Sequence, residues 1–294
     1  MSEQRKRRLG DRKEGRLLRS LPALSRFIPF IMPTRNDALV EYEEAFDIAP
    51  MEKMLRKERV DGYKGIGLLH FIIAAYIRCI AELPGINRFV VGRRIYARNN
   101  IEIVMAVRKD SSLNATETMI KPVFTPEDTI LDVFTKLNAE IEAARATAED
   151  GNSTDKVANL LLHAPRLLLQ AAIGLLRLMD YFGIIPASLL KASPFHGTMI
   201  VTDLGSLRIG PVYHHIYNFG TLPVFIAFGA KRHSYELDRH GEFVDRKVAD
   251  FKFVMDERIV DGHYYAAFLN RLRYYFEHPE LLELPPETVI EDVD

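Results

Sequence analysis

The chain has 294 residues, 48% of them hydrophobic, and a formal charge of −1. That composition supports one large core or two modest ones, and the near-zero charge excludes bulk attraction to nucleic acid or anionic membrane. The single cysteine, Cys79, excludes an intrachain disulfide, and no apolar run follows the N-terminal charges as a secretory signal would require, so a cytoplasmic location is expected.

Residues 1–25 read as a basic arm, with Arg5, Lys6, Arg7, Arg8, Arg12, Lys13, Arg16 and Arg19 set against Glu3, Asp11 and Glu14. Such an arm is either solvated or docked on a partner chain or a phosphate-bearing ligand. Residues 26–284 read as the folded domain. Residues 37–48 alternate apolar positions with β-formers and predict a strand. Pro50 opens a short helix through Met51, Met54 and Leu55 that ends near Asp61-Gly62, and residues 66–82 predict an apolar helix stopped by Pro84-Gly85. Cys79 lies in that helix, where a buried, inert thiol is expected. Segments 88–98 and 101–108 predict paired strands around a tight turn at Asn99-Asn100. Thr129 to Ala148 predicts an amphipathic helix, with Ile130, Val133, Phe134, Leu137 and Ile141 at helical spacing.

Residues 198–204 and 222–229 are apolar β-type runs. A hairpin is expected over 234–247 around His240-Gly241, then a strand over 248–255 and a helix over 263–277. Residues 285–294 form an acidic tail with Glu287, Glu291, Asp292 and Asp294. Together these predict a single α/β domain with helices on a mixed sheet.

Asp256-Glu257-Arg258-Ile259-Val260-Asp261-Gly262 is the most informative stretch. It resembles the D-H-R-x-x-D-G signature of dihydrolipoamide acyltransferase catalytic domains, the 2-oxoacid dehydrogenase acyltransferases related to chloramphenicol acetyltransferase. GTMIVTDLGS resembles that family's F-T-I-S-N-L-G, and IYNFGTLPVFIAFG its I-I-N-P-P-x-x-A-I-L-G-x-G. AAFLNRLRYYFEHPELL resembles its A-A-R-F-L-N-x-L-K-x-x-L-E-D-P-E-L-L, and upstream segments extend the likeness over most of 38–282. The resemblance implies a chloramphenicol acetyltransferase-like fold, a homotrimer, coenzyme A as co-substrate, and a channel between subunits with the base supplied by the neighbour. No lipoyl domain precedes the core, which argues against an ordinary subunit of a 2-oxoacid dehydrogenase complex.

Arg258, Asp261 and Gly262 match the motif, but Glu257 stands where the family has its histidine base. Thioester exchange needs a base for a thiol of pKa about 8.5 and a donor to the oxyanion. A carboxylate of ordinary pKa, about 4.3, is some four units too acidic, a mismatch of about 5–6 kcal/mol unless burial or a neighbouring carboxylate narrows it. Thr202 matches the family's oxyanion donor and is otherwise an ordinary strand residue. Asp261 is expected to fix the loop, in the family by pairing with an arginine. His263 is a second candidate base, with His196 and His214-His215 behind it; each is also readable as a surface or loop histidine. Asp203, Asn218, Arg258 and Gly262 are the candidate substrate-binding positions. The histidines lack zinc-ligand spacing, so no metal is expected.

Between the amphipathic helix and Gly197 lies an apolar insertion, 157–192, where the family has a short polar connection. His163, Arg166, Gln170, Gly174 and Arg177 form one narrow polar stripe on it. Pro165, Arg166, Arg177 and Asp180 interrupt it, which excludes a transmembrane span. It reads as a helix packed into the trimer or over the core, as a wall of a pocket for an apolar substrate, or as a segment lying in a membrane interface.

Two functions follow. One is a coenzyme A-dependent acyltransferase with an apolar acceptor, in which Thr202 stabilises the oxyanion and Glu257 or His263 is the base. The other is a catalytically silent homologue acting as a scaffold or hydrophobic-ligand carrier.

Overall fold

The computed structural model describes residues 7–108, 117–147, 163, 165–237 and 240–294. The chain begins with a short strand, β1 (Gly15–Leu17), and a helix, α1 (Ala23–Ile31), followed by β2 (Leu39–Asp47), α2 (Ala49–Val60) and α3 (Leu68–Glu82). Strands β3 (Arg88–Val91), β4 (Arg94–Arg98), β5 (Ile101–Arg108), β6 (Glu117–Ile120) and β7 (Val123–Phe124) lead to α4 (Ile130–Thr147). The insertion supplies α5 (Arg166–Phe182) and α6 (Ala187–Ala192). Residues 157–162 and 164 of it lie outside the described residues. The chain closes with β8 (Met199–Asp203), β9 (Val224–Leu237), β10 (Phe243–Asp256) and α7 (Gly262–Glu277).

The main sheet runs β2–β10–β9–β8–β5–β6, with β7 also paired to β5. β5 with β8, and β8 with β9, are parallel; the other pairs are antiparallel, which makes the sheet mixed as expected. β9 and β10 form one long hairpin whose ladder slips between Ala249 and Phe251.

One expectation is corrected. Segments 88–98 and 101–108 do not form a hairpin around Asn99-Asn100. β3 and β4 pair with each other, and β1–β4–β3 is a separate three-stranded sheet, whereas β5 enters the main sheet beside β8. The reason is turn geometry. A two-residue hairpin turn of the favoured hand needs positive φ at both positions, and Gly92 (φ 57) and Arg93 (φ 60) supply it. Asn99-Asn100 instead carries the chain from one sheet to the other.

Thirteen of the fifteen residues of α3 are buried, which makes it the central helix of the core. It packs with α2, α4 and α7 on one face of the main sheet. There Phe46 stacks on Phe276 at 4.5 Å and meets Phe251 edge-on at 5.2 Å, joining β2, β10 and α7 through ring contacts. Cys79 is fully buried, and burial raises its thiol pKa well above the ordinary value. A smaller apolar cluster of Val104, Ile216, Leu222, Phe225 and Val254 covers the opposite face.

At the start of α3, the backbone N–H of Gly67 donates to Nδ1 of His70 at 3.2 Å, and burial depresses the imidazole pKa below its ordinary 6.5. The folded chain therefore holds a neutral ring, while the unfolded chain takes up a proton as pH falls through 6.5. Stability present above that pH is lost as pH falls toward the depressed folded value. Thermal melts should show Tm dropping on acidification past 6.5, with a shallower drop in His70→Gln.

The two charged ends fold onto each other. Arg8 pairs with Asp294 at 2.7 Å, Arg16 donates to the carbonyls of Asp292 and Val293, and Arg88 clamps the Asp292 carboxylate at 2.6 and 2.7 Å. The basic segment and the acidic tail thus neutralise one another beside β4.

Candidate functional site

The DERIVDG loop joins β10 to α7. Its first residue, Asp256, is completely buried, and its carboxylate takes Nε and Nη2 of Arg258 at 2.8 and 2.7 Å and the Arg258 N–H at 3.1 Å. Arg258 also donates Nη1 to the Met32 carbonyl at 3.2 Å, and Tyr265 donates its hydroxyl to the Asp256 carbonyl at 2.9 Å. Arg35, whose pKa burial lowers to about 10, brings Nε to 3.7 Å from the same carboxylate. One buried anion therefore holds two buried guanidinium groups.

This pinned turn aims Glu257 outward. Its N–H donates to the Ala38 carbonyl at 2.9 Å while the side chain is exposed. Glu257 stands at a cavity of about 350 Å³ whose lining includes Leu24, Ile28, Met32, Val260, Asp261 and Tyr264. One wall is α1, apolar and helical; the other is the loop, with two carboxylates four residues apart. Arg88, from β3, also lines it, and its guanidinium is held by Asp292.

Asp261 caps α7, its carboxylate accepting from the Tyr264 N–H at 2.9 Å. The arginine–aspartate pair of this loop is Asp256–Arg258, and among the described residues Asp261 makes no ion pair with an arginine. Asp261→Ala should cost about 1 kcal/mol of stability, read as a lower Tm, with Asp261→Ser retaining most of it. Gly262 and His263 begin α7; His263 is exposed and is not part of the cavity wall.

Thr202 and Asp203 end β8. Thr202 is half-buried and in register with Ala227, which pairs with Lys252, five residues before Glu257. Five strand residues span about 17 Å and two strand spacings about 10 Å, so Thr202 and Glu257 of one chain stand about 20 Å apart. One chain does not bring them together. Asp203 accepts from the Ser206 N–H at 2.9 Å, and burial raises its carboxyl pKa.

The other candidates lie apart. His196 is buried, with Nδ1 at 2.8 Å from Ser193 Oγ and Nε2 at 3.4 Å from Asp180. His214 stacks on Phe225 at 4.3 Å, and burial lowers its imidazole pKa. Asn218 accepts from the Asn36 N–H at 3.2 Å and lines a second cavity of about 330 Å³ with Arg35, Arg177 and Tyr181. Arg258 borders both cavities, so Asn218 and Glu257 flank it on either side. A larger cavity of about 800 Å³, between β6, α4 and α6, contains none of the expected site residues. Among the described residues no group of acidic, histidine and cysteine side chains could hold a metal ion.

Sequence reasoning missed the α1 wall, Arg35 and Arg88. The spacing of Leu24, Phe27, Ile28 and Ile31 was the available signal for α1, masked by Pro29 inside the helix. Nothing local marks Arg35 or Arg88, whose partners lie far along the chain.

Residues 191–284 match the family model described as 2-oxoacid dehydrogenases acyltransferase (catalytic domain). No curated protein matches the chain. Among solved structures, the fold is shared with a probable dihydrolipoamide acetyltransferase from Listeria monocytogenes (TM-score 0.54, 15% identity, covering 92% of this chain and 96% of that one). It is shared too with the cubic core of the pyruvate dehydrogenase multienzyme complex (TM-score 0.57, 15% identity, 92% and 95%) and with a chloramphenicol acetyltransferase (TM-score 0.50, 11% identity, 85% and 93%). The resemblance drawn from the motifs is borne out over residues 191–284, and the chain has the chloramphenicol acetyltransferase-like fold.

Proposed function

We propose that this chain, with its acyltransferase catalytic-domain match on a chloramphenicol acetyltransferase-like fold, is a coenzyme A-dependent acyltransferase that works as a homotrimer. Glu257, exposed in the single chain, is the base where a neighbouring copy covers it, and Thr202 of that copy is the oxyanion donor. The acceptor's nucleophile loses its proton to the Glu257 carboxylate and attacks the thioester carbonyl. The Thr202 hydroxyl donates to the developing oxyanion. Collapse expels coenzyme A as a thiolate, which recovers the proton from Glu257.

The observation that carries this reading is the pinned loop, which presents Glu257 to a cavity walled by the apolar side chains of α1. An apolar wall beside a carboxylate suits an apolar acceptor or acyl chain. The separation of about 20 Å between Thr202 and Glu257 in one chain supports a site assembled from two copies. The test is thiol release from a panel of acyl-CoA donors with the purified protein. The buried Cys79 adds little background to such an assay. Absence of both coenzyme A binding and thiol release would defeat the enzyme reading.

The exposure of Glu257 favours a second reading, a catalytically silent homologue that serves as a scaffold or carries a hydrophobic ligand. It expects Glu257→Ala to change nothing measurable and a ligand to copurify, visible by mass spectrometry.

A further inference from the structure

Of the described residues of the insertion, those of α5 lie mostly outside the core. Of the seventeen residues of α5 only Asp180 is buried, held by Arg12 at 2.7 Å through its carboxylate and at 2.6 Å through its carbonyl. The helix is pinned at one end and presents its apolar residues outward. α1 does the same beside it. The turn between β3 and β4 touches both helices: a Cβ on Gly92 would lie 2.7 Å from the Tyr181 carbonyl, and Arg93 donates to the Phe30 carbonyl at 3.3 Å. Leu168, Leu175, Phe182, Phe27, Phe30 and Ile31 are each more than half exposed. Solvated apolar side chains grouped on two neighbouring helices mark an interaction surface.

Charge decides what covers it. Every exposed charged residue on α1, α5 and α6 is basic, namely Arg26, Arg166, Arg177 and Lys191. The single acidic residue of these helices, Asp180, is buried against Arg12. A twofold pairing of this face with itself would set basic groups against basic groups. Large apolar side chains rimmed by arginine and lysine, with aromatic residues at the ends of both helices, suit the headgroup layer of an anionic bilayer. No described helix is long and apolar enough to cross one.

We propose that α1 and α5 together form a docking face for an anionic phospholipid surface, both helices lying in the interface plane. The other side of α1 walls the Glu257 cavity through Ile28 and Met32. Docking therefore sets that cavity beside the lipid.

The test is cosedimentation of the full chain with sucrose-loaded vesicles, either phosphatidylcholine alone or phosphatidylcholine mixed with phosphatidylglycerol in equal parts. No coenzyme A or acyl donor is present, so the result is separate from that of the acyl-transfer assay. The expected result is binding to the mixed vesicles, weakened by added salt, with little binding to phosphatidylcholine alone. Leu168→Glu combined with Leu175→Glu should lower binding at least about tenfold. Arg166→Gln and Arg177→Gln should each lower it about fivefold, the equivalent of about 1 kcal/mol per charge near an anionic leaflet. The arginine variants alter exposed positions and test the idea even if the leucine pair fails to fold. Equal binding to both vesicle types overturns the anionic assignment. No binding to either overturns the proposal; a face protected from hydrogen exchange in a stable oligomer overturns it too and gives the surface to a second copy of the chain.

Discussion

Asp256→Ala should destabilise the protein by about 3–5 kcal/mol, because it strands two buried guanidinium groups with no anion between them. The Arg258 guanidinium loses both of its bonds to the carboxylate, and Arg35 loses the carboxylate 3.7 Å from its Nε. In a chain of this size that corresponds to a fall in Tm of about 10 °C. The adjacent change, Glu257→Ala, removes an exposed side chain and should stay within about 0.5 kcal/mol of wild type. Neighbouring acidic residues in one motif thus have separate tasks, one holding the loop and one facing the cavity. A calorimetric comparison of the two variants checks this division. Similar melting temperatures for both would show that the buried pair contributes nothing to holding the loop.

The second large effect is on activity. Glu257→Gln keeps the shape of the side chain and removes its basicity, so kcat/KM for acyl transfer should fall by about 10²–10⁴ with Tm unchanged. Thr202→Val removes the hydroxyl from β8 and should lower kcat by about 10²–10³ while leaving KM nearly unaltered. Steady-state kinetics on the two single variants read both numbers. A rise in KM with kcat unchanged would instead assign these residues to substrate binding.

Much of the fold was legible because the signals were local. α3 and α4 follow from apolar spacing and from Pro84 and Thr129 at their ends. The long hairpin of β9 and β10 follows from β-forming runs on either side of Gly241, which has the positive φ that a turn requires. The split of 88–98 was not legible, because it depends on Arg93 adopting a left-handed conformation that its residue type does not advertise. Likewise α1 hides behind Pro29 and a preceding basic segment.

The site was legible only in part, for a related reason. The DERIVDG string singles out Glu257, but what surrounds Glu257 comes from distant chain: Ile28 and Met32 from α1, and Arg88 anchored by Asp292. The same string gave Asp261 an arginine partner, whereas the folded loop uses Asp256 for that pairing and Asp261 as a helix cap. A motif fixes the identity of the turn residues; burial decides which carboxylate receives the guanidinium. The distance between Thr202 and Glu257 needed the strand register, which no local pattern contains.

That distance leads to the most direct measurement. Glu257→Gln and Thr202→Val chains, each inactive alone, are coexpressed with different tags, and mixed assemblies are purified and assayed for thiol release from acyl-CoA. If each site takes Glu257 from one copy and Thr202 from its neighbour, every mixed trimer, whichever variant is in the majority, restores one site, so about a third of the sites regain activity. The double variant on a single chain, mixed with itself, should stay inactive. Mixed assemblies as inactive as their parents, or wild-type protein without thiol release, would contradict the account.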